Sequence, residues 1–135
     1  MNSLLIDVRD VDIDQFGHVN NSVYLRWIEQ VVHDHWRRIA PPEDFSALRW
    51  VAVRHEIDYR RPAFAGDRLQ ALTRLSSVKR ARAWYRTSIL RDDVTLAEAL
   101  SCWCCVDAVT RSLTIIPPVL VAQHLPSDTV HAANP

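Results

Sequence analysis

Only one stretch of the 135-residue chain has a helical period, and most of the chain after it has the period of two that is typical of β-strands. The helical stretch begins at Asn20, since asparagine is a good helix cap and an apolar stripe follows it. Pro41-Pro42 ends the stretch, because proline disfavours helical geometry in the residue before it. The pattern predicts one helix of about 18 residues. Its apolar stripe comprises Tyr24, Trp27, Ile28, Val31, Val32, Trp36 and Ile39.

Strand patterns flank this helix and dominate the second half of the chain. A short strand is predicted at 4–10, and further strands are predicted at 69–78, 83–89 and 96–109. The last of these is apolar on both faces, so we expect it inside the sheet or covered by a partner. We predict an α+β domain, in which an antiparallel β-sheet of about five strands wraps one long α-helix. In the strand that follows the helix, strict alternation predicts one face made of Val51, Val53, His55, Ile57 and Tyr59.

Length, net charge and residue composition limit the classes of protein to which this chain can belong. The length predicts a single domain over residues 1–135, with a flexible polar tail from about residue 127. The formal net charge is zero, so nothing in it favours nucleic acid or an anionic membrane as a partner. We expect a cytoplasmic protein, because the chain has neither a signal peptide nor the roughly 20 apolar residues of a membrane span. Cys102, Cys104 and Cys105 lack metal-site spacing, which predicts buried strand cysteines and no metal.

Polar side chains and a glycine crowd into the stretch DIDQFGHVNNSVY, which leads into the helix. A helix N-terminus presents unpaired N–H groups, which polarise a carbonyl and stabilise the oxyanion formed when that carbonyl is attacked. Asp14 is then placed to act as a nucleophile or as a base for water, and Gly17 lets a substrate approach the backbone. The same residues fit a simpler interpretation, an acidic loop before a helix capped by Asn20 or Asn21.

Three motifs in order resemble the acyl-CoA thioesterases of the hotdog fold, the 4-hydroxybenzoyl-CoA thioesterase-like group that includes the YbgC-type enzymes. DIDQFGHVNNSVYLRWIE resembles that group's Asp-x-Asp-x-x-Gly pattern before its long helix. IDYRRPAFAGDRL resembles its Tyr-x-x-Pro-Ala-x-x-Gly-Asp pattern, and RSLTIIPPVL resembles its final strand. The resemblance covers residues 5 to about 122, and both glycines of the chain, Gly17 and Gly66, fall inside these motifs.

The resemblance implies a hotdog fold, homodimers or homotetramers that join sheets edge to edge, and active sites at the subunit interface. It implies that Asp14 attacks an acyl-CoA or acyl-carrier-protein thioester, or activates water, while the backbone N–H of Asn21 polarises the thioester carbonyl. Coenzyme A enters only as part of the substrate, and no other cofactor is implied. His18 fits a catalytic helper beside Asp14. Further substrate contacts are implied for Gly17, Val19, Asn20 and Tyr24, and contacts with coenzyme A for Arg60, Lys79, Arg80 and Arg82. These four cations fit exposed basic surface residues equally well.

Other functions would use some of the same residues. A hotdog hydratase would add water to an enoyl thioester with an Asp/His pair, here Asp14 and His18, but its signature has Asn-Pro where this chain has Phe16-Gly17. A non-catalytic acyl-thioester-binding dimer would not need the carboxylate of Asp14, and a structural dimer module would need neither motif. His18 also fits a loop residue bonded to Asp12 or Asp14.

Overall fold

The structure, a computed structural model, describes residues 1–122, and the tail predicted from about residue 127 lies outside the described residues. The described chain is built mainly from β1 (Asn2–Asp7), α1 (Asn21–Ile39), β2 (Leu48–Tyr59), β3 (Arg68–Lys79), β4 (Arg82–Arg91) and β5 (Val94–Asp107). Shorter helical segments are a 3-10 turn at Asp10–Asp12, α2 at Pro42–Ala47 and α3 at Pro118–Val121.

The five strands form one antiparallel sheet in the order β1-β3-β4-β5-β2. β3, β4 and β5 follow one another as hairpins. β2 precedes them in sequence but pairs with β5, at the opposite edge of the sheet from β1. The prediction that the strand at 96–109 lies inside the sheet is confirmed, since β5 pairs with β4 on one side and with β2 on the other. α1 packs on one face of this sheet, so the predicted α+β architecture is confirmed.

α1 begins and ends where local signals predict. Asn20 caps it, since its side-chain oxygen accepts the N–H of Ser22 at 3.0 Å. The helix has 19 residues and ends at Ile39, ahead of the two prolines. The predicted apolar stripe is buried apart from this last residue, which is partly buried. His35 is buried as well, and its Nδ1 lies 3.0 Å from the hydroxyl of Tyr85 in β4.

β2 departs from the strict alternation predicted for it. Its register against β5 shifts between Ala52 and Arg54, which marks a β-bulge. One extra residue moves every earlier side chain to the opposite face. The prediction that Val51 and Val53 share the buried face of His55 is therefore wrong, and they are 50% and 48% exposed.

The segment RSLTIIPPVL does not form the final strand that the resemblance implied. Within it, strand-like pairing is limited to a single bridge between Leu113 and Val106, beside a hydrogen bond from the N–H of Thr114 to the carbonyl of Cys105 at 3.0 Å. β5 already has a neighbour on each side, and Pro117 has no N–H to donate to a sheet. The chain therefore turns into α3 after one bridge.

The cysteines are buried in β5 and free, as predicted. Cys105 belongs to an apolar cluster with Trp36, Trp50 and Trp103, and burial raises the pKa of its thiol to about 11. A thiol with this pKa is almost entirely protonated at neutral pH and is a poor nucleophile. No helix among residues 1–122 is long and apolar enough to cross a membrane.

Candidate active site

A tight turn from Asp14 to His18 carries the candidate catalytic acid. The N–H of Asp14 donates to the carbonyl of His18 at 2.9 Å, and the N–H of Gly17 donates to the carbonyl of Asp14 at 3.1 Å. Gly17 has a φ of +87°, in the left-handed region that favours glycine. A Cβ at Gly17 would meet no described atom within 4 Å. The free protein therefore requires this glycine for its backbone conformation and not for space.

The carboxylate of Asp14 is held at one oxygen. Its Oδ1 accepts the N–H of Phe16 at 2.8 Å, and its Oδ2 lies 3.8 Å from Nδ1 of His18. The second distance is too long for a hydrogen bond but short enough for a charge interaction when His18 is protonated. Both side chains reach solvent, with exposed fractions of 20% for Asp14 and 41% for His18. Oδ2 can therefore attack an electrophilic carbon or accept a proton from water.

The start of α1 leaves one backbone N–H without an acceptor. Asn20 satisfies the next two donors, because its side-chain oxygen accepts from Ser22 at 3.0 Å and its carbonyl accepts from Val23 at 2.9 Å. Among residues 1–122, the N–H of Asn21 has no hydrogen-bond acceptor. This donor lies at the positive end of a 19-residue helix. A carbonyl oxygen that gains negative charge is stabilised at such a position.

The loop after β2, which carries the second motif, holds this helix start in place. The N–H of Val19 donates to the carbonyl of Ala63 at 2.8 Å. The hydroxyl of Tyr59 donates to the carbonyl of Asn21 at 3.0 Å. The first two motifs, far apart in sequence, therefore meet at the N-terminus of α1.

Sequence reasoning missed the groups that hold this loop. Asp67 Oδ2 accepts the N–H of Phe64 at 2.9 Å and a guanidinium N–H of Arg91 at 2.8 Å. Arg91 also donates to the carbonyl of Pro62 at 3.1 Å. Asp67 stood in the quoted motif and could have been found there. Arg91 is the last residue of β4, and nothing in its local sequence ties it to the loop.

A cavity of about 200 Å³ opens beside the helix start. It is smaller than the roughly 300–1,000 Å³ of ordinary ligand pockets. Asp14, Gly17 and Asn20 belong to the adjoining turn and do not line this cavity. Its walls bring together five of the predicted site residues, His18, Val19, Asn21, Tyr24 and Arg60, with Tyr59, Arg61 and Pro62.

A larger cavity, of about 1,070 Å³, lies along α1 and the neighbouring strands. Its lining includes Glu29 and His33 of the helix, Trp50 of β2 and Trp103 of β5, but neither Asp14 nor Asn21. The smaller cavity is the better candidate for the reacting end of a ligand, because its lining includes Asn21, which has the unpaired N–H.

Lys79, Arg80 and Arg82 lie at the opposite end of the sheet from the candidate acid. Arg82 is in register with Cys104, which pairs with Val51, whereas the candidate site adjoins Tyr59 at the other end of β2. Tyr59 is eight positions after Val51 along the strand, which is roughly 26 Å. One chain therefore does not bring these cations to Asp14. The remaining predicted cation, Arg60, lines the cavity and forms an ion pair with Glu98 at 2.7 Å.

Asp12, two residues before the candidate acid, has structural partners. It is 2% exposed, and its carboxylate accepts the N–H of Arg9 at 3.0 Å and the guanidinium of Arg26 at 2.7 Å. Burial raises the pKa of this carboxyl, but the two hydrogen bonds and the charge of Arg26 outweigh it and hold the pKa below its usual value. Its backbone carbonyl accepts the N–H of Asn20 at 2.9 Å, so Asp12 orients the turn.

Comparison with known proteins finds a matching family and several thioesterases with a similar sequence or fold. A sequence profile of the Thioesterase-like superfamily matches residues 8–124. The long-chain acyl-CoA thioesterase FadM of Escherichia coli K12 is 29% identical over 118 residues, covering 78% of this chain and 83% of FadM. The probable thioesterase YbaW of Escherichia coli superposes with a TM-score of 0.75 at 25% identity, over 91% of this chain and 96% of YbaW. A thioesterase of Thermus thermophilus, complexed with coenzyme A and Zn, shares the fold at a TM-score of 0.78 and 24% identity, over 91% of this chain and 90% of that chain.

A long helix packed on a five-stranded antiparallel sheet is the hotdog fold of thioesterase-like proteins, which confirms the fold class and the resemblance stated above. The chain belongs to the Thioesterase-like superfamily, since the family profile covers most of its length. Acyl-CoA thioesterase activity is thus indicated at the level of the family. Among residues 1–122, no group of three or more His, Cys, Asp or Glu side chains could hold a metal ion. The individual residue roles and the cytoplasmic location stay predictions.

Proposed function

We propose that this protein hydrolyses acyl-CoA, or another acyl thioester, to a free acid and a thiol. The observation that carries the proposal is the unpaired N–H of Asn21, which follows directly on the turn that holds Asp14. A thioester oxygen that accepts this N–H makes its carbon more electrophilic, and the oxyanion that forms on attack is stabilised at the helix terminus. The similarity to FadM, a long-chain acyl-CoA thioesterase, supports acyl-CoA as the substrate class.

Asp14 supplies the attack in one of two ways. As a nucleophile, its Oδ2 bonds to the thioester carbon and the C–S bond breaks; the thiolate takes up a proton, and water hydrolyses the resulting anhydride. As a general base, it removes a proton from a water molecule that attacks the same carbon, and the proton passes to the departing thiolate. The position of His18, 3.8 Å from Oδ2, suits a group that assists this proton transfer.

A second copy of the chain completes the site in this proposal. β2 is an edge strand, and it ends beside the candidate site while it begins near the Lys79–Arg82 turn. Antiparallel pairing of two β2 edges about a twofold axis lays the start of one strand beside the end of the other. That arrangement brings the cationic turn of one chain toward the Asp14 turn of its partner, where it would meet the phosphates of coenzyme A.

The test is a hydrolysis screen over acyl-CoAs of different chain lengths and acyl-carrier-protein thioesters, with detection of the released thiol. We expect thiol release that depends on the protein with at least one acyl-CoA. An enoyl-CoA included in the panel separates hydrolysis from hydration, because hydration removes the conjugated double bond without releasing thiol. Hydration without thiol release, or binding of acyl-CoA without turnover, would contradict the proposal.

A further inference from the structure

The hydroxyl of Tyr59 contacts the residue that carries the unpaired donor. Tyr59 is the last residue of β2, and its O–H donates to the carbonyl oxygen of Asn21 at 3.0 Å. Asn21 is the first residue of α1. One side-chain hydrogen bond therefore ties the end of the edge strand to the first turn of the helix.

The aromatic ring of Tyr59 also contacts the helix, although the residue is 42% exposed. It packs edge-on against Tyr24, with ring centroids 5.2 Å apart, and Tyr24 packs in turn against Trp27 at 5.1 Å. Tyr24 is 2% exposed, so this contact rests on the core. The phenol of Tyr59 is an O–H donor at neutral pH, and desolvation raises its pKa further. The ring contact fixes the direction from which the hydroxyl reaches Asn21.

A restraint at this point matters because helix ends fray. The direction of the Asn21 N–H depends on the backbone of the first turn, and a donor for an oxyanion must be aligned before the charge develops. Tyr59 also lines the cavity beside Asn21, together with His18. The restraint therefore acts on the wall of the candidate site itself.

We propose that Tyr59 is a positioning residue for thioester hydrolysis, which holds the first turn of α1 so that the N–H of Asn21 faces the thioester carbonyl. This inference rests on the proposed function. The end of a β-strand does not need a phenol hydroxyl, so the sheet alone does not account for the hydroxyl of Tyr59. A restraint on a donor that acts in the transition state affects kcat more than KM.

Tyr59→Phe removes only the hydroxyl and tests the proposal on the best acyl-CoA of the screen. We expect kcat to fall by about threefold to tenfold, the scale of one hydrogen bond, with KM within about twofold of the wild type. The matched control is Tyr85→Phe, which removes the phenol hydroxyl that lies 3.0 Å from His35 in the core. This control should lower the urea midpoint of unfolding and leave kcat unchanged.

Amide chemical shifts of the two variants separate this inference from the proposed function. In Tyr59→Phe we expect shift changes concentrated at residues 20–22, with the later turns of α1 unmoved. Those changes support the restraint even if the wild type hydrolyses no thioester, a result that would overturn the proposed function. Unchanged shifts at residues 20–22, or a kcat for Tyr59→Phe equal to that of Tyr85→Phe, would overturn the role of Tyr59.

Discussion

Asn21→Pro deletes the candidate oxyanion donor while it leaves α1 able to form. Proline has no backbone N–H, and the first position of a helix is the one interior position that accepts it well. Proline also requires an extended conformation in the residue before it, and Asn20 already has φ −61° and ψ 136°. The backbone at this site is therefore compatible with proline before any rearrangement.

The expected loss follows from the hydrogen bonds at the helix start. The Asn21 N–H has no acceptor among residues 1–122, so its removal breaks no bond of the free protein. We expect the free energy of unfolding to change by less than about 1 kcal/mol. Loss of one oxyanion donor lowers kcat by roughly 10²–10³. Thiol release from the best acyl-CoA measures the rate, and urea denaturation measures the stability.

The matched control is Asn21→Ala, which keeps the N–H and removes the side chain. Its kcat should stay within a few-fold of the wild type, because the proposed donor is a backbone group. If Asn21→Pro folds with normal stability and retains the kcat of Asn21→Ala, the N–H of this residue does not polarise the substrate. Equal large losses in both variants would instead assign the role to the amide side chain.

Further expectations concern the acids, the glycine, pH and assembly. Asp14→Asn should lower kcat at least about a hundredfold and leave the fold intact, whereas Asp12→Asn should mainly cost stability, about 1–3 kcal/mol, because it weakens the buried bond to Arg26; equal activity losses in both would refute the distinct roles. Gly17→Val should lower the free energy of unfolding by about 1–2 kcal/mol, because the φ of this residue is positive. Its kcat/KM should fall by more than the smaller folded fraction explains. Normal kcat/KM per folded molecule would leave Gly17 only a conformational role. Burial lowers the pKa of His33 and His55 below 6.5, against the opposing charge of Glu29. Just below pH 6.5 the unfolded chain then binds more protons than the folded chain, so the urea midpoint should fall as pH drops through this range. The midpoint should fall less in the variant with both histidines changed to Gln. Sedimentation at micromolar concentration should give at least twice the 15.5 kDa mass of one chain, and a monomer would contradict the two-chain site.

The features that sequence predicts well are those with local causes. The limits of α1 follow from a capping asparagine and from two prolines, each of which acts on its immediate neighbours. The bulge in β2 has no such local cause, because it arises where β2 pairs with β5, about 50 residues further along the chain. Alternation alone therefore placed Val51 and Val53 on the wrong face.

The same distinction holds for the candidate site. Asp14, His18 and Asn21 are close in sequence; one turn joins Asp14 to His18, and His18 and Asn21 line the same cavity. Arg91 reaches the site from the end of β4, and only the sheet topology determines that contact. Lys79 and Arg80 have the positive charge that contact with the phosphates of coenzyme A needs. Their distance from Asp14, however, depends on the strand order, which the sequence pattern does not contain.

The two interpretations of the helix start are compatible, because the cap determines which donor stays free. Asn20 accepts from Ser22 with its side chain and from Val23 with its carbonyl, so the second and third donors are satisfied. The first donor, on Asn21, has no acceptor in the part of the chain that the structure describes, and it keeps its hydrogen for a ligand. A helix capped by apolar residues would present several competing donors, each of them hydrated. Capping therefore leaves one N–H free at the positive end of the helix, and the left-handed turn at Gly17 belongs to the Asp14–His18 turn that precedes this helix start along the chain.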